Sequence, residues 1–144
     1  MFDARAAGLD KPRLRSWARA HAGSADACFV ARSYRYPYAL IARHEHPVGI
    51  DIERIEPCDA AFAESICTPW ERAELPGDRD RDAYLTSLWC SKEALAKALG
   101  DALRYDPRRL ESPISWPLHG CGPWRAAPLA VPPQHVGWIC WRER

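Results

Sequence analysis

Alternating hydrophobic and polar positions mark the first half of the chain. In residues 47–53, PVGIDIE, apolar Val48, Ile50 and Ile52 alternate with glycine and acidic residues. A period of two predicts a strand with its apolar side chains on one face. Residues 27–30 and 38–43 are also predicted strands. The HEHP sequence after the second of these predicts a hairpin between residues 38–43 and 47–53.

A longer helical period predicts helices before and after these strands. Residues 10–23 form a predicted helix, with Asp10 as its cap and Gly23 at its end. Residues 60–75 are helical but interrupted at Thr68, which is followed by proline and, three positions on, by a glutamate. That pattern predicts a capping box. The strongest predicted helix spans residues 82–99 and ends at glycine.

The order of these elements predicts the fold class. A helix, then strands, then helices, and finally two or three short strands in the proline- and tryptophan-rich last third indicate an α+β fold. We expect a small antiparallel sheet packed on the long helix.

Composition narrows the functional classes. The chain has 144 residues, of which 47% are hydrophobic and 27% charged, with a net charge of +1. These values predict one soluble globular domain and argue against a strongly basic nucleic-acid-binding protein. No apolar run is long enough for a membrane helix and the first residues are unlike a signal peptide, so we expect a cytoplasmic protein. The six cysteines include no CxxC pair and are expected to be reduced thiols.

Charged residues with helical and strand spacing suggest a site. Strand alternation places Asp51 and Glu53 on one face, and the spacing of Trp89, Glu93 and Lys97 places these three on one face of the long helix. A solvated strand face and an ordinary surface Glu–Lys pair are the simpler interpretations. However, 17 of the 20 basic residues are arginines, and two of the three lysines lie in WCSKEALAKALG.

Carboxylate oxygens and lysine ammonium groups together suit a bound phosphate compound with Mg²⁺. Carboxylates favour Mg²⁺, which retains waters and shares the phosphates of a substrate. Lysine reaches a phosphate as a compact point charge. Three carboxylates with one or two lysines therefore predict a Mg²⁺-dependent site for a pyrophosphate.

The same residues carry a family resemblance. Val48-Gly49-Ile50-Asp51, followed by Trp89, Lys92-Glu93 and Lys97, resembles the two-part signature of the 4′-phosphopantetheinyl transferase superfamily. YALIA, CTPWERAEL and the closing GPWRAAPLAVPPQHVGWIC are similar to further family segments. The resemblance implies a single transferase-like lobe at residues 29–144, similar to the C-terminal lobe of the two-lobed class, after an N-terminal helical extension at residues 1–28.

The resemblance also implies an activity and roles for residues. The activity is that of a holo-[acyl-carrier-protein] synthase-type transferase, which moves the 4′-phosphopantetheine arm of coenzyme A to a serine of an acyl or peptidyl carrier protein. Asp51, Glu53 and Glu93 would hold Mg²⁺. Glu93 and Lys97 would be catalytic, with Glu93, or a metal-bound water that it positions, taking the serine proton and Lys97 contacting phosphate. Lys92 would also bind substrate.

Departures from the family pattern leave alternatives open. About 48 residues precede Gly49, where the two-lobed class has a full lobe, and Tyr34 stands where that class has a histidine. Arg35 or Arg32 would then supply the lost positive charge, and a homo-oligomer would complete the cleft. The alternatives are a non-catalytic relative that binds carrier protein or coenzyme A, and an unrelated Mg²⁺-dependent phosphohydrolase.

Overall fold

The structure is a computed structural model that describes residues 1–21 and 28–144. Its helices are α1 (Lys11–His21), α2 (Ala60–Ile66), α3 (Pro69–Ala73) and α4 (Arg81–Leu99). Its strands are β1 (Phe2–Asp3), β2 (Phe29–Arg35), β3 (Tyr38–His44), β4 (Val48–Arg54), β5 (Gly120–Cys121), β6 (Trp124–Pro128) and β7 (His135–Arg142). The α+β prediction is confirmed, with antiparallel sheets packed against the long helix α4.

The strands of the described part form two antiparallel sheets. The first has the order β1-β3-β2 and the second the order β4-β7-β6-β5. The predicted hairpin between β3 and β4 is therefore wrong. The hairpin joins β2 to β3 instead, with Phe29 opposite His44. HEHP permits a turn, but β4 finds its hydrogen-bonding partner in the distant strand β7, with Val48 opposite Trp141.

Strand β4 is buried on both of its faces. Its apolar face packs into a core with Ala31, Tyr38 and Leu40 of the first sheet. Its other face lies against α4, and Gly49 makes this approach possible. A Cβ atom at Gly49 would lie 1.9 Å from the backbone oxygen of Ala94. This glycine therefore lets the strand bring Asp51 and Glu53 close to the helix.

Local signals place the helix ends where the sequence predicts them. Thr68 and Glu71 form the predicted capping box at the start of α3. Gly100 ends α4 in the left-handed conformation, with φ 79°. The break near Thr68 also separates α2 from α3 as expected. These ends depend on neighbouring residues alone, which is why the sequence predicts them well.

The N-terminal elements pack on the β2–β3 hairpin. Strand β1 pairs with β3, and Leu14 and Ala18 of α1 are buried in a small core with Ala39. The predicted helix end at Gly23 and the predicted strand start at Ala27 lie outside the described residues. The division at residue 28 stays a prediction, although these contacts run across it. No α-helix in the described ranges has the length and apolar character required to cross a membrane.

Candidate active site

Asp51 lies at the junction of β2, β4 and α4. Its side chain is almost fully buried, and Oδ1 accepts hydrogen bonds from Ser33 Oγ at 2.7 Å and Lys97 Nζ at 2.6 Å. Lys97 also donates to the carbonyl of Ile50 at 3.2 Å. The predicted strand motif and the predicted helix motif thus meet directly. The face of Asp51 is a buried, charge-compensated surface rather than a solvated one.

The second carboxylate oxygen of Asp51, Oδ2, differs from Oδ1 in its hydrogen bonding. Within the described residues, Oδ2 is buried and has no hydrogen bond of ordinary geometry. The buried thiol of Cys90 lies beside this carboxylate, and the negative charge of Asp51 contributes, after burial, to raising the pKa of Cys90. Leaving a buried acceptor unpaired costs about 1–3 kcal/mol, and more for a charged group. A cation at this oxygen would remove that cost, so this atom marks the place where a metal ion would fit best.

Glu53 lies on the same face of β4 as Asp51, and the charge of Asp51 affects its pKa. Burial, and then the repulsion from Asp51, raise the pKa of Glu53 to about 7. Arg35, Lys97 and a hydrogen bond from Trp89 act in the opposite direction. Arg35 Nε lies 3.4 Å from a Glu53 carboxylate oxygen, so the structure brings this predicted arginine to the site. Burial and the charge of Asp51 therefore favour the protonated form of Glu53.

Glu93 lies one turn before Lys97 on α4. Its Oε1 accepts a hydrogen bond from the hydroxyl of Tyr105, and the carboxylate is half-buried. Burial raises the pKa of Glu93, and Asp51 adds to this, whereas the Tyr105 hydrogen bond and Lys97 lower it. The structure therefore holds the carboxyl group with one oxygen engaged.

The predicted ligands lie in one region but do not form a finished metal centre. Across residues 1–21 and 28–144, no group of three histidine, cysteine or acidic side chains is gathered closely enough to hold a metal ion. Lys97 pairs with Asp51, and Arg35 with Glu53. The donor chemistry still fits Mg²⁺, because all three predicted ligands are carboxylates, Oδ2 of Asp51 lacks a hydrogen bond of ordinary geometry, and Mg²⁺ keeps several waters.

Lys92 lies outside this site, and we replace its predicted substrate-binding role with a structural one. The side chain is completely buried. Nζ donates to the carbonyls of Ile66 and Pro107 at 2.7 and 2.8 Å and to Glu71 Oε2 at 2.6 Å. All three ammonium hydrogens are thereby used within the protein, so none is left for a substrate phosphate.

Helix geometry explains why the two lysines separate. Five residues at about 100° each turn Lys97 by roughly 140° from Lys92 around the helix axis. Trp89, Glu93 and Lys97 share the side that faces β4, and Lys92 points toward α2 and α3. The spacing of five residues in the sequence is enough to predict this angle and to place Lys92 away from the side of α4 that carries Lys97.

Two open clefts flank the site. The first, of about 450 Å³, is lined by Arg35, Glu53, Phe62 and Trp89, among others. The second, of about 720 Å³, is lined by three basic residues, Arg32, Lys97 and Arg104, and one acidic residue, Asp101, among others. One cleft therefore combines charged and aromatic groups, and the other offers positive charge.

Sequence reasoning gave no specific role to Ser33 or Tyr105. Ser33 Oγ donates to Asp51 and also accepts from the backbone nitrogen of Ile52 at 3.3 Å, so it joins the two sheets. Tyr105 comes from beyond Gly100, in a segment without a regular period. Neither contact has a local signal, because each depends on how distant elements pack.

Comparisons with known proteins agree with the family signature. The model of the 4′-phosphopantetheinyl transferase superfamily matches residues 47–127. The chain is also similar to the 4′-phosphopantetheinyl transferase psf-1 of Bacillus pumilus, with 44% identity over 76 residues. This match covers 51% of the chain and 32% of the relative, so the chain matches about a third of the relative's length. The family match includes Asp51, Glu53, Glu93 and Lys97.

Proposed function

The chain belongs to the 4′-phosphopantetheinyl transferase superfamily, and from this premise we propose that it transfers the 4′-phosphopantetheine arm of coenzyme A. The acceptor is a serine of an acyl or peptidyl carrier protein, as in a holo-[acyl-carrier-protein] synthase. The contact between Lys97 and Asp51 carries this proposal, because it joins both halves of the family signature in one partly buried pair.

The clefts support coenzyme A as the substrate. Arg32, Lys97 and Arg104 line one open cleft and provide positive charge for phosphate groups. The aromatic side chains in the other cleft suit the less polar part of the arm. Arg35 is more exposed than Glu53 and also pairs with Glu56 at 3.1 Å, and it would be able to pair with a phosphate in the cleft.

Asp51, Glu53 and Glu93 would hold Mg²⁺ in this proposal. When bound, the ion neutralises charge on the pyrophosphate and orients it. Glu53 would hold the ion in its ionised form, which burial and the charge of Asp51 oppose and which a bound cation would favour. Lys97 is a quarter exposed and would contact a phosphate oxygen of the substrate.

The chemical step is a displacement at phosphorus. The serine oxygen of the carrier protein forms a bond to the phosphorus atom that bears the pantetheine arm. The bond from that phosphorus to the bridging oxygen breaks, and adenosine 3′,5′-bisphosphate leaves with the electron pair. Glu93 would take the serine proton, directly or through a water that it orients, at the side of Oε2, because Tyr105 occupies Oε1.

A homo-oligomer is part of the proposal. Both clefts are open, and a second copy could cover them and add groups for the nucleotide. We expect sedimentation velocity to show self-association that coenzyme A strengthens. A strictly monomeric protein that still transfers the arm would contradict this part alone.

One observation favours a second candidate, a non-catalytic relative that binds coenzyme A or carrier protein. The described residues contain no ready-made metal group, and Lys97 already compensates Asp51. Such a protein would bind its ligand without Mg²⁺ and would not transfer the arm.

Thermal unfolding with coenzyme A tests the proposal first. Ligand at about 100 times its dissociation constant adds about 2.7 kcal/mol to the free energy of unfolding. For a chain of this length we expect a Tm increase of roughly 5–10 °C. The increase should require Mg²⁺, disappear in chelator, and be lost in Asp51→Asn.

A mass-shift assay on apo carrier proteins then tests the transfer itself. Addition of the arm by the wild type, but not by Glu93→Gln, would support the enzyme. A Tm increase that persists in chelator, without transfer, would favour the non-catalytic relative. Release of inorganic phosphate from simple esters would instead favour a phosphohydrolase.

A further inference from the structure

We propose that Tyr105 is a positioning residue that holds Glu93 apart from Lys97, an inference that rests on the proposed function. The Tyr105 hydroxyl donates to Oε1 of Glu93, and both side chains are half-buried. Oε2 of Glu93 stays available for a cation or for the serine proton. The contact fixes one oxygen and so orients the other.

Helix spacing shows why such a restraint is needed. Glu93 and Lys97 are four residues apart on α4, the arrangement in which a glutamate and a lysine ordinarily pair. Among the described ion pairs they do not pair, because Lys97 lies on Asp51 and Glu93 accepts from Tyr105. A direct Glu93–Lys97 pair would withdraw both groups from the site. The Tyr105 hydroxyl competes against it.

The segment that carries Tyr105 is anchored on both sides. Before it, the turn after Gly100 is closed by hydrogen bonds from Asp101 N to the Ala96 carbonyl at 2.9 Å and from Tyr105 N to the Asp101 carbonyl at 3.2 Å. After it, the buried Lys92 donates to the Pro107 carbonyl at 2.8 Å. The hydroxyl is thus fixed relative to α4.

A buried polar network extends this anchor. Glu71 Oε1 accepts from the backbone nitrogen of Ser112 at 2.7 Å, and Ser112 Oγ lies 2.6 Å from Ser91 Oγ of α4. Lys92 and Ser91 therefore attach the segment between Tyr105 and Ser112 to the helix that bears Glu93. This network holds the residues that follow Tyr105 against α4.

Mn²⁺ titration followed by electron paramagnetic resonance tests the inference without relying on turnover. Mn²⁺ is the probe, in the presence of coenzyme A, on the wild type, Tyr105→Phe, Glu93→Gln and the double variant. Tyr84→Phe is the matched control, because Tyr84 is also a half-buried tyrosine but lies near the start of α4. Circular dichroism checks that each variant is folded.

We expect Tyr105→Phe to weaken Mn²⁺ binding by about 10–100-fold, the usual effect of removing a group that orients a ligand. Tyr84→Phe should bind as the wild type does. In the Glu93→Gln background, Tyr105→Phe should have no further effect, because the two groups act as one unit.

The outcomes separate this inference from the proposed function. If the wild type and Tyr105→Phe bind Mn²⁺ equally well in the presence of coenzyme A, the positioning role is wrong and the proposed function stands. The same conclusion follows if the effect of Tyr105→Phe on Mn²⁺ affinity adds fully to the effect of Glu93→Gln. If the wild type binds neither Mn²⁺ nor coenzyme A, both the positioning role and the proposed function are wrong.

Discussion

Replacing Gly49 by alanine should move α4 away from β4 and damage the site without touching a charged residue. The added Cβ atom would lie 1.9 Å from the backbone oxygen of Ala94 and 2.5 Å from the backbone nitrogen of Ala98. Ordinary contacts begin at about 3.4 Å. The neighbours are backbone atoms of a helix, so a side-chain rotation cannot relieve the clash.

The required movement sets the size of the effect. Strand and helix must separate by about 1.5 Å to restore an ordinary contact. The 2.6 Å bond between Lys97 and Asp51 lies two residues along the strand, so the same movement would stretch it beyond hydrogen-bond length. Overpacking a core costs typically 1–3 kcal/mol. We expect a fall in Tm of roughly 4–12 °C and at least a tenfold loss of Mg²⁺-dependent coenzyme A affinity.

Gly77→Ala is the matched control. A Cβ atom there meets nothing within 4 Å, and the backbone conformation suits alanine. Its Tm should therefore equal or slightly exceed that of the wild type. Differential scanning fluorimetry and calorimetric titration of coenzyme A measure both quantities. A Gly49→Ala variant with wild-type Tm and affinity would refute the close approach of β4 and α4.

Three further predictions concern buried charges. In urea unfolding, Lys92→Met should lower the free energy of unfolding by about 3–5 kcal/mol, because it leaves the buried Glu71 carboxylate without a counter-charge. The double variant Lys92→Met with Glu71→Gln should recover part of this loss. Lys92→Arg should also destabilise, since a planar fork cannot replace one ammonium among three acceptors. Because the pKa of Glu53 rises from 4.5 to about 7 on folding, the folded protein holds more protons between these values, so in chelator its stability should fall as pH rises through that range. Glu53→Gln should flatten that slope, and an unchanged slope would contradict the assigned pKa.

The parts of the fold that depend on neighbouring residues could be predicted from the sequence. The capping box at Thr68, the end of α4 at Gly100 and the common face of Asp51 and Glu53 are of this kind. Each follows from a spacing of two to four residues. The juxtaposition of the strand and helix motifs was also expected, through the family resemblance.

Long-range pairing could not be predicted in the same way. HEHP is compatible with a hairpin, yet β4 pairs with β7, more than eighty residues later in the chain. Tyr105 and Ser33 reach Glu93 and Asp51 only because the turn after Gly100 and the first sheet pack where they do. These contacts depend on which surfaces meet, and no local pattern records that.

Two different physical reasons explain why this arginine-rich chain has lysine at positions 92 and 97. Lys92 is buried among three acceptors at 2.6–2.8 Å, and an ammonium group satisfies three acceptors with its three donors. The five donors of a guanidinium would leave some unpaired in the same space. Lys97 is a quarter exposed and pairs with the buried Asp51, from which a cation could displace it. A compact point charge on a flexible stem can make that exchange and then contact a phosphate. One lysine is therefore held entirely within the protein and the other pairs with the carboxylate of the candidate site, although only five residues separate them.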